Sequence, residues 1–245
     1  MGLALPATAA DYFSETFNSG FLNGGAIPDG SLNGWNDTRT VTGASGSWNI
    51  NDVQVTLDLS GGYNGDLYAY LAHDNGFAVL LNRVGVGSAQ GDGFGYANAG
   101  MNITLSSAGA NGNIHWYGGA NIPTGSYQPD GRAIDPLSPA SLFDTADPRA
   151  DFRTFIGEDP NGKWTLFLAD VSAGGGESAL LGWSLTVGAI PVPEPPPMTL
   201  AALVLGLSVL WRTMREKNCG WQKPRSNPSE AVALVRVSSK HVSHV

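Results

Sequence analysis

Residues 53–59 read Val-Gln-Val-Thr-Leu-Asp-Leu, so Val53, Val55, Leu57 and Leu59 alternate with Gln54, Thr56 and Asp58. A period of two puts the apolar set on one face and predicts a half-buried strand. Gly61-Gly-Tyr-Asn-Gly-Asp66 breaks the pattern, and Leu67–Leu71 predicts the next strand. Asp74-Asn-Gly76 predicts a tight reversal into Phe77–Leu81. Lys163–Leu168 and Leu181–Val187 predict two further strands, joined by Ser172-Ala-Gly-Gly-Gly-Glu177. No stretch of the body carries a convincing 3.6-residue period. Many short strands separated by Gly/Asn/Asp turns predict an all-β sandwich or jelly roll between about Phe21 and Val187.

The hydropathy pattern changes near the C-terminus. A proline cluster, Pro191 to Pro197, leads into Met198–Trp211, which is apolar and uncharged and is closed by Arg212, Arg215 and Lys217. Fourteen helical residues span roughly 21 Å, short of a ~30 Å hydrocarbon core. Thr213 and Met214 extend the run while the arginines snorkel, so a membrane helix is expected over 198–214. Positive residues after it place the tail 215–245 in the cytoplasm and residues 1–197 outside. The order Val192-Pro193-Glu194-Pro195, apolar helix, basic cluster resembles the PEP-CTERM sorting signal of Gram-negative bacteria. That resemblance implies export to the periplasm or cell surface, membrane anchoring, an exosortase as processing partner, and release into an extracellular polysaccharide or biofilm matrix. In this chain the tail runs on from Asn218 to Val245, longer than such signals carry. At the other end, residues 1–10 finish in Ala7-x-Ala9, a signal-peptidase pattern read as the remnant of an export signal that starts upstream.

Composition sharpens this division. Gly makes up 33 of 245 residues and charged residues only 14%, against the usual quarter, which argues against helical bundles. Residues 1–211 hold six Lys/Arg against nineteen Asp/Glu, a balance of −13, and residues 212–245 hold seven against two, a balance of +5. The acidic body excludes nucleic acid as a partner, because phosphate repels it. Cys219 is the only cysteine and lies in the basic tail, so disulfides and thiolate metal sites in the body are excluded as well.

Several segments of the body resemble one family. Gly65-Asp66-Leu67-Tyr-Ala-Tyr-Leu71, Tyr127-Gln-Pro-Asp-Gly131, Phe155 through Asn161-Gly162-Lys-Trp164, and Leu181-Gly-Trp183-Ser-Leu are similar to the P/Homo B domain. That domain follows the catalytic domain of kexin- and furin-like convertases. The resemblance covers 21–187 and implies a jelly-roll sandwich of galactose-binding-like architecture, with 188–197 as a proline-rich linker. Trp164 and Trp183 are expected to fill the core from neighbouring strands, with Gly162 allowing the turn ahead of the first. The resemblance also implies calcium, for which Asp66 and Asp92 are the chosen ligands.

Catalytic chemistry is not expected. The subtilisin-like domain with its Asp, His and Ser triad is not in this sequence, and no Gly-Thr-Ser or His-Gly-Thr-His segment occurs. His73 reads as a turn histidine and His115 as a strand residue, and their spacing suits no zinc site. The function expected is a non-catalytic binding or structural module at the surface, contacting a polysaccharide or protein. Two alternatives stand beside it: an accessory domain of a separately encoded subtilisin-like protease, and lectin-like sugar binding through Trp35, Trp48, Trp116 or Tyr117.

Overall fold

Val53, Val55, Leu57 and Leu59 are buried while the residues between them are partly exposed, so the alternation turns one face of this strand into the core. The computed structural model describes residues 10–42, 47–87 and 93–192, together with Leu207 and Trp211. The chain divides into two units, residues 1–192 and 193–245. The first is predominantly β. Its described strands are β1 (Asp11–Phe17), β2 (Ala26–Ile27), β3 (Trp35–Val41), β4 (Trp48–Gly61), β5 (Leu67–His73), β6 (Gly76–Asn82), β7 (Met101–Ser106), β8 (Thr124–Tyr127), β9 (Gly162–Asp170) and β10 (Ser178–Pro191). One short helix, α1 (Ala140–Thr145), interrupts them, where the sequence predicted none.

The strands form two sheets. One has the order β1-β10-β4-β7-β8, with β2 also on β10, and the other has the order β3-β9-β5-β6. All pairings are antiparallel except β7 with β8. A single apolar cluster draws on both sheets: Val53, Val55, Leu57, Ile103, Leu105 and Leu185 from the first, and Leu67, Leu71, Trp164, Leu166 and Leu168 from the second. Each fully buried residue of this size contributes about 1.5–3 kcal/mol relative to exposure.

Four features depart from the expectations. Strand β1 lies ahead of residue 21 and runs beside β10 from Asp11 against Ala189 to Phe17 against Trp183. Gly188–Pro191, expected to open the linker, continue β10 and pair with β4 as far as Trp48. Trp164 and Trp183 are both buried, but on β9 and β10, which belong to different sheets. His115 lies in a 3-10 turn, Ile114–Trp116, and not in a strand. The turn forms because the Asn113 side chain accepts the His115 N–H at 3.0 Å, a local bond that competes with a ladder.

Among the described residues no helix is long and apolar enough to cross a membrane. The run expected to do so, 198–214, lies outside the described residues apart from Leu207 and Trp211. So do residues 1–9 and the basic tail.

Candidate functional site

Three connections meet at one end of the β unit: β4 to β5, β6 to β7, and β9 to β10. Backbone hydrogen bonds join them. Gly65 N–H donates to Tyr96 O at 2.9 Å, Asn64 N–H to Asn98 O at 3.0 Å, and Val171 N–H to Asp66 O at 2.8 Å. The close approach demands glycine at position 65, where a Cβ would overlap the backbone at Phe94–Tyr96. Between the connections lies a cavity of about 230 Å³, lined by Tyr63, Asp66, Phe94, Tyr96, Ser172 and Gly175 among others. Tyr63 packs on Gly175, which sits at φ +75°, and the Tyr96 ring packs on Gly85 at φ +82°.

Electrostatically this end is short of positive charge. Asp66 is buried, and the Arg83 guanidinium stands 3.9 Å from its carboxylate. Burial pushes the Asp66 carboxyl up; Arg83 opposes this and Asp29 adds to it. Asp170, fully buried behind it, is pushed up to about 6, first by burial and then by Asp66 and Asp29. Among the described residues its carboxylate accepts long bonds from Ser172 N–H and the Ser178 hydroxyl, both at 3.5 Å. Asp29 accepts the Gly174 N–H at 3.1 Å.

Asp92, the other residue chosen for calcium, lies outside the described residues. Among the described residues no group of three or more His, Cys, Asp or Glu side chains is placed to hold a metal ion.

Both histidines of the body are enclosed. His73 bonds Lys163 O through Nδ1 at 3.0 Å and Asp159 O through Nε2 at 2.6 Å. His115 bonds the Asp130 carboxylate through Nδ1 at 2.7 Å and Val86 O through Nε2 at 2.8 Å. Asp130 also accepts from Arg132 Nη1 at 3.1 Å, and Arg132 Nε donates to Phe143 O at 3.0 Å. All three side chains are buried, so this network ties the 113–116 turn to the 130–143 segment.

The other expected residues are placed as follows. The Asn161 backbone N–H and side-chain amide both donate to Asp159 Oδ1 at 2.9 Å, and Gly162 opens β9 at φ +122°. Trp164 Nε1 donates to Pro160 O at 3.1 Å and Trp183 Nε1 to Asp37 Oδ2 at 2.8 Å. Of the aromatics considered for sugar stacking, Trp35 is buried and Trp48 and Tyr117 are half-buried; Trp116 is exposed, with Arg132 4.9 Å over its ring. Val192 is exposed, and its N–H donates to Ser47 O at 2.9 Å. Pro193, Glu194, Pro195, Arg212, Arg215 and Lys217 lie outside the described residues. Tyr63, Phe94, Tyr96 and Asp170 were not singled out from the sequence; the Gly-rich connections around them were its only signal.

No protein-family model and no curated protein matches the chain. A solved structure of the Aeromonas sobria serine protease and chaperone complex contains a chain that aligns at a TM-score of 0.43 and 15% identity. The alignment covers 77% of this chain and 28% of that one, so this chain spans less than a third of that chain's length.

Proposed function

We propose that the chain is an exported, non-catalytic module of the P/Homo B type. Its two sheets are read as a jelly-roll sandwich, held at the membrane by the apolar segment 198–214 and processed by an exosortase acting at Val192–Pro195. At the cell surface or in a polysaccharide matrix it binds or supports another component. One contrast carries the binding reading. The two histidines of the body are locked into backbone and carboxylate hydrogen bonds, whereas the loop-end cavity gathers aromatic rings and a buried carboxylate. Calcium belongs to this reading as a ligand of Asp66 and Asp92.

Cells that make the protein, fractionated and probed with an antibody to the β unit, are expected to hold it in membrane and surface fractions. Recovery in the cytosol alone would overturn export. Peptide turnover by the purified chain, abolished by a serine-reactive inhibitor, would overturn the non-catalytic assignment. Co-purification with a subtilisin-like protease would move the reading to the accessory-domain alternative.

A further inference from the structure

The walls of the loop-end cavity favour one sign of charge. Tyr63, Phe94 and Tyr96 contribute aromatic surface, and the face of an aromatic ring is negative and attracts cations. Asp66 adds a carboxylate to the lining. Asp29 stands at Gly174 on the same rim, and Asp170 lies close enough to both to raise its own carboxyl. Among the described residues, Arg83 is the cation paired here, and it pairs with Asp66 alone, at 3.9 Å. An anion entering here meets repulsion from Asp66 and from the ring faces. A neutral sugar gains nothing from the field.

We propose that this cavity, within the binding-module reading above and with Asp66 free of calcium, receives an organic cation: the ammonium or guanidinium end of a Lys or Arg side chain on a partner protein, or a free alkylammonium of the same chemistry. At about 230 Å³ the cavity takes one such group with its alkyl stem and excludes a folded segment. The rings enclose the stem and charge, and the Asp66 carboxylate accepts hydrogen bonds from the head group. Partner choice then rests on a single basic side chain presented to this rim. The −13 body supplies long-range attraction toward a basic partner.

The test is calorimetric titration of the purified full chain, in chelator and at low salt. Butylammonium, butylguanidinium and tetramethylammonium are compared with butanol and neopentyl alcohol as neutral counterparts. The cations are expected to bind and the alcohols not to, with affinity falling as salt rises. Tyr63 and Phe94 are 42% and 79% exposed, so Tyr63→Ala and Phe94→Ala leave the fold intact. Each is expected to weaken cation binding by roughly 3- to 30-fold. Asp66→Asn is expected to weaken it further. Equal binding of the alcohols, or cation affinity unmoved in both aromatic variants, would overturn the proposal. Peptides carrying one Lys or one Arg, run beside the free cations, separate the two sources: tighter binding of peptide points to a protein partner, tighter binding of the free cation to a small ligand. The titration does not depend on export, so its failure would leave the localisation result standing.

Discussion

The His73 imidazole lies face to face on the Trp164 indole, with ring centroids 3.9 Å apart and planes inclined by 1°. The two residues are direct partners in the pairing of β5 with β9. Both ring nitrogens of His73 reach carbonyl oxygens of the chain that enters β9, at Asp159 and Lys163. One side chain therefore joins a strand end, a core tryptophan and the preceding loop. Phe155, its centroid 5.2 Å from Trp164 and its plane inclined by 55°, packs against the same indole.

This arrangement predicts that shape alone will not replace His73. His73→Phe keeps a flat ring on Trp164 but loses the hydrogen bonding to the Lys163 and Asp159 carbonyls, at about 0.5–1.5 kcal/mol per bond. Trp164→Ala removes the ring beneath and is expected to cost about 3–5 kcal/mol. Urea unfolding of the two variants beside the wild type checks both. A His73→Phe chain as stable as the wild type would show that the carbonyl bonds carry no stability.

Asp170 gives a pH prediction with a definite sign. Its carboxyl rises from an ordinary 3.8 to about 6 in the folded chain, chiefly through burial. The folded state thus holds this proton more tightly than the unfolded state does. The stability gained from protonation is full below about pH 4 and is lost as pH climbs through 6, by up to about 3 kcal/mol. Asp170→Asn removes the charge while keeping the shape. It is expected to be more stable than the wild type at pH 7.5, by up to the same amount, with the gap closing at pH 4. Melting curves at the two pH values measure this; a gap independent of pH would refute it.

Strands β4, β5, β6, β9 and β10 were legible because their signal is local, whereas β1, β2, β3, β7 and β8 were not read from the sequence. Alternation over 53–59, the Asp74-Asn-Gly76 reversal and the Gly-rich stretch before β10 each lie within a few residues. What the sequence hid is set by contacts between distant segments. His115 sits in an Ile-His-Trp-Tyr stretch that looks like a strand, yet a side-chain bond from Asn113 and a carboxylate 15 residues on turn it inward. Leu181 looks like a core position, but a register shift between Leu180 and Gly182 leaves it exposed. The loop-end cavity was hidden for the same reason, since its walls come from three separate connections, around residues 63–66, 94–97 and 172–175.

The Asp130 network predicts a large effect from one deletion. Asp130 answers both His115 and Arg132 in a fully buried setting. Asp130→Ala leaves an interior guanidinium and an imidazole without their acceptor, and breaking a buried pair in this way costs about 3–5 kcal/mol. Asp147→Ala, at the exposed pair with Arg149, is the control and is expected to leave stability unmoved. Comparable unfolding midpoints for the two variants would mean that the buried network is not load-carrying.

The calcium proposed for Asp66 and Asp92 predicts linkage. Millimolar calcium is expected to raise the melting midpoint of the full chain over that in chelator, and Asp66→Asn to abolish the rise. An identical midpoint with and without calcium, at low salt, would remove the ion from the proposed function.

Strand β3 lies at the edge of its sheet and pairs only with β9 among the described strands. Gly34 precedes β3 at φ +56°, and a Cβ there would overlap the Leu168 carbonyl and the Phe167 ring. Gly24 has a similar φ of +65°, but a Cβ there meets nothing within 4 Å. Gly24→Ala thus carries only the backbone cost of a left-handed residue, about 1–2 kcal/mol. Gly34→Ala adds a clash at the position where Trp35 begins its pairing with Leu168. The clash pries β3 from β9 at its first rung. It also disturbs Asp37, whose carboxylate accepts from Trp183 on the other sheet. Gly34→Ala is therefore expected to destabilise the fold by clearly more than Gly24→Ala. Amide exchange should quicken along β3 from Trp35 onward and at the Trp183 indole N–H. Equal losses in the two variants, with β3 exchange unchanged, would show that the strand is anchored elsewhere along its length.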